Sequence, residues 1–288
     1  MDLVCTVAGA ALVLFGAVDM FQTLLRPSGQ GRTSRLVLRG VWRLSKAAGH
    51  RFGSAVGPVA MVAVICLWVL LIAVGWALVY LPHLPEGFVV GSGLVPSDYS
   101  GFADAVYVSV VTLSTLGYGD VVPVDPWLQA VAPLEALSGF AVLTAALTWF
   151  TQIYPPLSRR RSLAVKLAGL DAAGAADAVA DLDADGLARL LEGLADEIGR
   201  VRVDFAQHPE GFYFQEARTE LSLARGLPCA LSIRQAARPR PEPAVRLGER
   251  RLAYALDELA EILRSEFFRS AATTDDVFAA YAASTARI

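Results

Sequence analysis

The chain has 288 residues, 55% of them hydrophobic and 18% charged, and a net charge of −3. Its mean hydropathy is +0.47, too apolar for a soluble domain of this length, and the expectation is an all-α membrane protein. Nothing in the charge pattern points to nucleic acid, and Cys5, Cys66 and Cys229 are too scattered for a disulfide framework or a metal cluster. The first predicted element is a span over 3–25, within an N-terminal segment 1–26. Basic residues follow its apolar run rather than precede it, which argues against a cleaved signal peptide. Asp19 lies inside this span, where a charge is costly. It is expected either to pair with Arg26 or another base or to act in gating. The link 27–57 carries Arg26, Arg32, Arg35, Arg39, Arg43, Lys46 and Arg51 at its edge and within it, and no acid. On a helical wheel Arg35, Arg39, Arg43 and Lys46 share one face, and Val37, Val41, Leu44 and Ala48 share the other. That pattern predicts a helix lying on a membrane surface, with the four bases attracting anionic lipid.

A second span is predicted over 58–81. From 82 to 133 there is no Lys or Arg, but there are Glu86, Asp98, Asp104, Asp120 and Asp125. These form either an acidic mouth that concentrates cations or an ordinary solvated outer surface. Residues 102–114 are apolar but too short to cross, so they are predicted to form a re-entrant helix buried by protein, with Asp104 on the positive end of its dipole. This helix runs into Thr115-Leu116-Gly117-Tyr118-Gly119-Asp120. Thr115 to Gly119 matches the selectivity filter of potassium channels, with Leu in place of the usual Val. Such a filter replaces the hydration shell of K⁺ with backbone carbonyls aimed at one axis, which needs residues tolerant of positive φ, here Gly117 and Gly119. Thr115 would add its hydroxyl at the inner mouth, Tyr118 would point away from the axis, and Leu116 would keep the outward side apolar. K⁺ would be held at Thr115, Leu116, Gly117 and Tyr118.

A third span is predicted over 127–154, ended by Pro155-Pro156. It contains Glu135, expected near the back of the pore helix, either protonated and hydrogen-bonded or tuning the filter. Residues 58–161 as a whole resemble the outer helix, pore helix, filter and inner helix of bacterial two-transmembrane potassium channels. The resemblance implies a homotetramer, since one chain carries one filter segment and the cage needs four. It places the gating hinge at Gly139, although a membrane-helix glycine is also a close-packing site. It makes the helix before the outer span similar to the slide helix of inward-rectifier channels. In that family two pore-helix aromatics brace the filter, the second donating to the filter Asp; here the positions hold Tyr107 and Val108, so Asp120 is expected to lack its usual donor. A further family position, a pore-helix Glu, is Val111 here. A voltage sensor is excluded because only one span precedes the pore pair.

Loop bases orient the chain with its N-terminus outside and its C-terminus in the cytoplasm of the cell. Residues 162–288 are predicted to be a helical cytosolic domain, with helices over 185–206, 215–237 and 245–268, a flexible tether over 171–185 and a Pro-rich linker over 239–243. No Gly-x-Gly-x-x-Gly or cyclic-nucleotide pocket is recognisable, so the regulatory ligand is unknown. His208 reads as a solvated loop residue, and Phe212-Tyr213-Phe214 reads as packing material. The functional expectation is a non-enzymatic, potassium-selective channel with no cofactor, K⁺ being the permeant ion. Two other readings stand beside it, a membrane sensor or scaffold with a vestigial pore and a subunit of a potassium uptake system.

Overall fold

The computed structural model describes residues 2–25, 31–48, 53–91, 95, 100–216 and 218–285. Arg26, Arg51 and Asp98, invoked above, lie outside them. The helices are α1 (Asp2–Leu25), α2 (Arg32–Ala47), α3 (Val56–Tyr80), α4 (Phe102–Leu113), α5 (Pro126–Ala172), α6 (Ala175–Ala178), α7 (Ala184–Gln207), α8 (Leu223–Ala237), α9 (Pro243–Glu266) and α10 (Thr274–Thr285). Two three-residue strands, β1 (Phe88–Val90) and β2 (Val121–Pro123), form an antiparallel ribbon with Val89 opposite Val122. Helices α1, α3 and α5 are long and apolar enough to cross a membrane. The protein is an all-α membrane protein.

The chain divides into two units, one of residues 1–39 and 61–151 and one of residues 40–60 and 152–288. In the first, α1 packs along α3 through small residues. A Cβ on Gly9 would lie 2.4 Å from the carbonyl oxygen of Gly75, so the two backbones approach as only glycine allows. Lower down the same pair, Asp19 is 5% exposed. Among the described residues its carboxylate accepts from the amides of Thr33 (3.0 Å) and Ser34 (3.3 Å), the Ser34 hydroxyl (2.5 Å) and the Trp68 indole (3.1 Å). The N–H groups at the start of α2 attract the carboxylate as a base would, while Arg26, the base expected beside it, lies outside the described residues. The packed side of α2 also differs from the wheel, because Ser34, Leu38 and Ser45 are buried while Leu44 is 65% exposed beside Arg43 and Lys46. The core of this unit gathers Ile72, Trp76, Tyr80, Phe88, Val108 and Leu128. Trp68 on α3 lies against Trp149 on α5, with ring centroids 5.5 Å apart.

The second unit corrects four expectations. Helix α5 does not stop at Pro155-Pro156 but continues to Ala172. The prolines remove two ladder bonds, yet Ile153, Leu157, Arg160, Ala164 and Leu167 form one buried stripe that holds the helix in place. The tether over 171–185 is ordered. It contains α6 and buried Val179, and the Arg240 guanidinium donates to the carbonyls of Val179 (2.9 Å) and Leu182 (3.1 Å). The helix expected from 215 begins only at Leu223, after a turn at Thr219–Leu221. Helices α7 and α9 pair through Leu187, Leu191, Leu194 and Ile198 against Leu252, Leu256, Leu259 and Leu263, all buried. Arg160, 5% exposed, donates to the carbonyls of Gly211 (2.6 Å) and Phe214 (2.7 Å) and pairs with Glu216 at 3.1 Å. Arg159 binds Asp204 through two nitrogens. Phe212 and Tyr213 are packing residues, as expected. Phe212 stacks on Phe267 at 3.9 Å and meets Trp42 edge-on at 5.6 Å. His208 is no free loop residue: it caps α7, with Nδ1 3.5 Å from Oε1 of buried Glu210.

Candidate ion-conduction site

The re-entrant helix α4 spans Phe102–Leu113, starting one turn after the acidic loop. Asp104 at its third position accepts from the Gly101 amide at 2.9 Å, closing the helix start as the dipole argument requires. At the other end, the amide of Leu116 reaches back to the Val111 carbonyl at 3.0 Å and that of Thr115 to Thr112 at 2.9 Å. The filter strand therefore hangs directly from the last turn of α4.

Within the strand, Thr115, Gly117 and Gly119 have φ of 58°, 54° and 78°, alternating with Leu116 and Tyr118. An ordinary strand alternates its carbonyls between two sides. Inserting a left-handed residue at every second position turns successive carbonyls toward the same side, which is the geometry a cation cage needs. The two glycines were legible in the sequence. Thr115 was not, because its positive φ is uncommon for a β-branched residue and costs on the order of 1–3 kcal/mol. A Cβ on Gly117 or Gly119 would meet nothing within 4 Å, so what selects glycine there is backbone conformation and not space. Leu116 and Tyr118 are 54% and 67% exposed in the single chain.

Asp120 closes the filter. Its Oδ2 accepts from the Tyr107 hydroxyl at 2.5 Å, and its carbonyl accepts from the Gly91 amide at 2.7 Å. The usual donor position, Val108, supplies no side-chain hydrogen bond, but Asp120 is held all the same. The bracing donor comes from the first of the two pore-helix positions, Tyr107, while Val108 is buried in the core and has no polar role. The ribbon of β1 and β2 extends the brace, since β2 begins immediately after Asp120.

Behind the filter, Glu135 on α5 is fully buried. Its carboxyl lies 2.6 Å from the Tyr80 hydroxyl of α3 and 2.5 Å from the Ser109 hydroxyl of α4. One turn further along α5, a Cβ on Gly139 would sit 1.8 Å from the Leu113 carbonyl oxygen. Gly139 is thus a point of backbone contact between α5 and α4, and the helix runs through it unbroken. Beside this contact an apolar cavity of about 340 Å³ is lined by Ile65, Val69, Leu113, Thr115 and Phe140 among others. Arg35 and Arg39 are partly buried, and Arg43 and Lys46 are exposed.

Residues 63–154 match the ion channel family. The matched segment begins in α3 and ends in α5, so it contains the pore helix, the filter, Glu135 and Gly139. The chain is 26% identical over 168 residues to "Uncharacterized membrane protein YdjJ" of Bacillus subtilis (strain 168), an alignment covering 57% of this chain and 48% of that protein. It is 40% identical over 55 residues to "Two-pore potassium channel 5" of Arabidopsis thaliana, covering 17% of this chain and 14% of that protein. The chain thus matches less than half the length of either relative. No solved structure matches. The apolar helix α1 precedes the matched segment and a helical region follows it.

Proposed function

We propose that the protein is a potassium-selective channel in the cell membrane, formed by four copies of this chain around the axis defined by residues 115–119. The observation that carries this reading is the alternation of left-handed backbone at Thr115, Gly117 and Gly119 at the end of a re-entrant helix. Four such strands supply rings of carbonyls that replace the water shell of K⁺, with the Thr115 hydroxyls as the innermost ring. The exposure of Leu116 and Tyr118, and of Leu137, Phe140, Leu143 and Leu147 along α5, fits surfaces that neighbouring copies or lipid would cover. The name of the plant relative supports K⁺ as the ion.

In this reading the C-terminus and the region 162–288 are cytoplasmic and the N-terminus is external, following the basic link between α1 and α3. Arg35, Arg39, Arg43 and Lys46 face anionic lipid at the inner leaflet, and exposed Leu36 and Leu44 enter its boundary. The helical region after the pore regulates opening through α5, which runs into it without a break. No chemistry is catalysed. The test is bi-ionic reversal potential across bilayers containing the purified protein. A preference for K⁺ and Rb⁺ over Na⁺ is expected; equal permeability would remove potassium selectivity, and absence of current would favour a sensor with a vestigial pore.

A further inference from the structure

Three helices meet at the Glu135 carboxyl, and its hydrogens can be counted. Oε2 lies 2.6 Å from the Tyr80 hydroxyl, Oε1 lies 2.5 Å from the Ser109 hydroxyl, and that same Ser109 oxygen lies 2.9 Å from the carbonyl oxygen of Ala73. Three contacts therefore need three hydrogens. Two hydroxyls supply only two, and an ionised carboxylate supplies none. With Glu135 ionised, Ser109 must abandon either Ala73 or Glu135, leaving two oxygens in contact with no proton between them. With a proton on Oε1 the count closes: Glu135 donates to Ser109, Ser109 donates to Ala73, and Tyr80 donates to Oε2.

The surroundings favour the same form. Glu135 is 0% exposed, and among the described residues no basic side chain reaches it within ion-pair distance. Tyr80 from α3 is the one titratable group in hydrogen-bonding contact with it, and α4 presents only the Ser109 hydroxyl. The nearest acid on α4, Asp104, is engaged by the Gly101 amide. An unpaired charge in such a place is expensive.

We propose that Glu135 is held as a neutral carboxylic acid that bolts the inner helix to the pore helix and the outer helix, and that removing its proton loosens the filter. The bolt is in register with the backbone contact described above. Glu135 and Gly139 are four residues apart on α5, and they meet Ser109 and Leu113, also four apart on α4. Two rungs one helical turn apart fix the pitch and rotation of α4 against α5. Because Thr115 and Leu116 hang from Thr112 and Val111, movement of α4 is movement of the filter. Glu135 is a positioning residue, and its effect on conduction rests on the potassium-channel reading.

The test compares full-length wild type, Glu135→Gln and Glu135→Ala. Glutamine can direct one N–H of its NH2 to Ser109 and its carbonyl oxygen to Tyr80, keeping the bonds of the neutral acid with one N–H to spare, and cannot ionise. Infrared spectra of the detergent-solubilised protein should show a protonated carboxyl band at neutral pH that is absent in Glu135→Gln. Thermal stability of Glu135→Gln should match wild type at neutral pH and stay level as the pH rises, whereas wild type falls and Glu135→Ala is low throughout. In bilayers, the rate of current decay in wild type should rise roughly tenfold at alkaline pH, the equivalent of one lost hydrogen bond to a charged group, and Glu135→Gln should not follow. Absence of the band, or a Glu135→Gln protein as unstable as Glu135→Ala, overturns the proposal. The infrared and stability arms need no ion flow, so they decide it even if the K⁺ reading fails.

Discussion

The α-carbon of Gly139 faces the carbonyl oxygen of Leu113 so closely that a Cβ would lie 1.8 Å from it. Helices α5 and α4 meet there with the backbone of one against the backbone of the other. Helix propensity and packing pull in opposite directions at this site. Alanine is worth about 1 kcal/mol more than glycine in a helix, but overpacking costs about 1–3 kcal/mol, and a backbone atom cannot rotate away. Gly139→Ala is expected to lower the melting temperature of the purified protein. A rise would mean that the glycine is a free hinge and not a contact.

Tyr107→Phe removes the donor to Asp120 while keeping the ring. The bond is partly exposed to solvent, so its loss is expected to cost about 1 kcal/mol. Faster decay of current and a stronger dependence on external K⁺ are expected, read by stepping the external K⁺ concentration. Val108→Trp, in contrast, puts an indole into the packed core and should destabilise without rescuing Tyr107→Phe.

Asp19→Ala is expected to destabilise the protein by about 1–3 kcal/mol. It strips the start of α2 of its cap and leaves the Trp68 indole N–H without its acceptor. Trp68→Phe, which removes only the donor, should cost less in the polar term. Thermal unfolding of the two single variants and the double variant would measure their coupling; a sum of the single effects would show that the contact carries no energy.

Glu216→Gln breaks the pairing of Glu216 with both Arg160 and Arg161, at 3.1 and 2.9 Å. Arg160 is nearly sealed from water, so leaving it without a counter-charge is expected to cost about 3–5 kcal/mol within the C-terminal helical region. Limited proteolysis should show earlier cleavage around 209–222. In the channel reading, open probability changes while the Na⁺ to K⁺ permeability ratio does not; a changed ratio would mean that the pore depends on this region directly.

Helix α4 was legible in the sequence to within one residue of its end, and the left-handed backbone after it at its two glycines, because both are local properties. A short apolar run bounded by Asp104 and a Gly-x-Gly spacing constrain backbone geometry whatever surrounds them. The three spans were legible for the same reason, since apolar length alone decides whether a helix can cross. The partners of polar groups were not. Asp19 binds Trp68 across 49 residues of chain, Tyr80 binds Glu135 across 55 and Arg160 binds Gly211 across 51, and no local pattern records such pairings. Pro155 and Pro156 point to a helix end only when local terms act alone, and the buried stripe from Ile153 to Leu167 outweighed them. Sequence by itself determined where the 115–119 backbone turns left-handed, because such a conformation at alternate positions favours glycine. Tertiary structure alone decided what holds that segment, because a buried hydrogen bond is made by whichever donor packing brings to the acceptor.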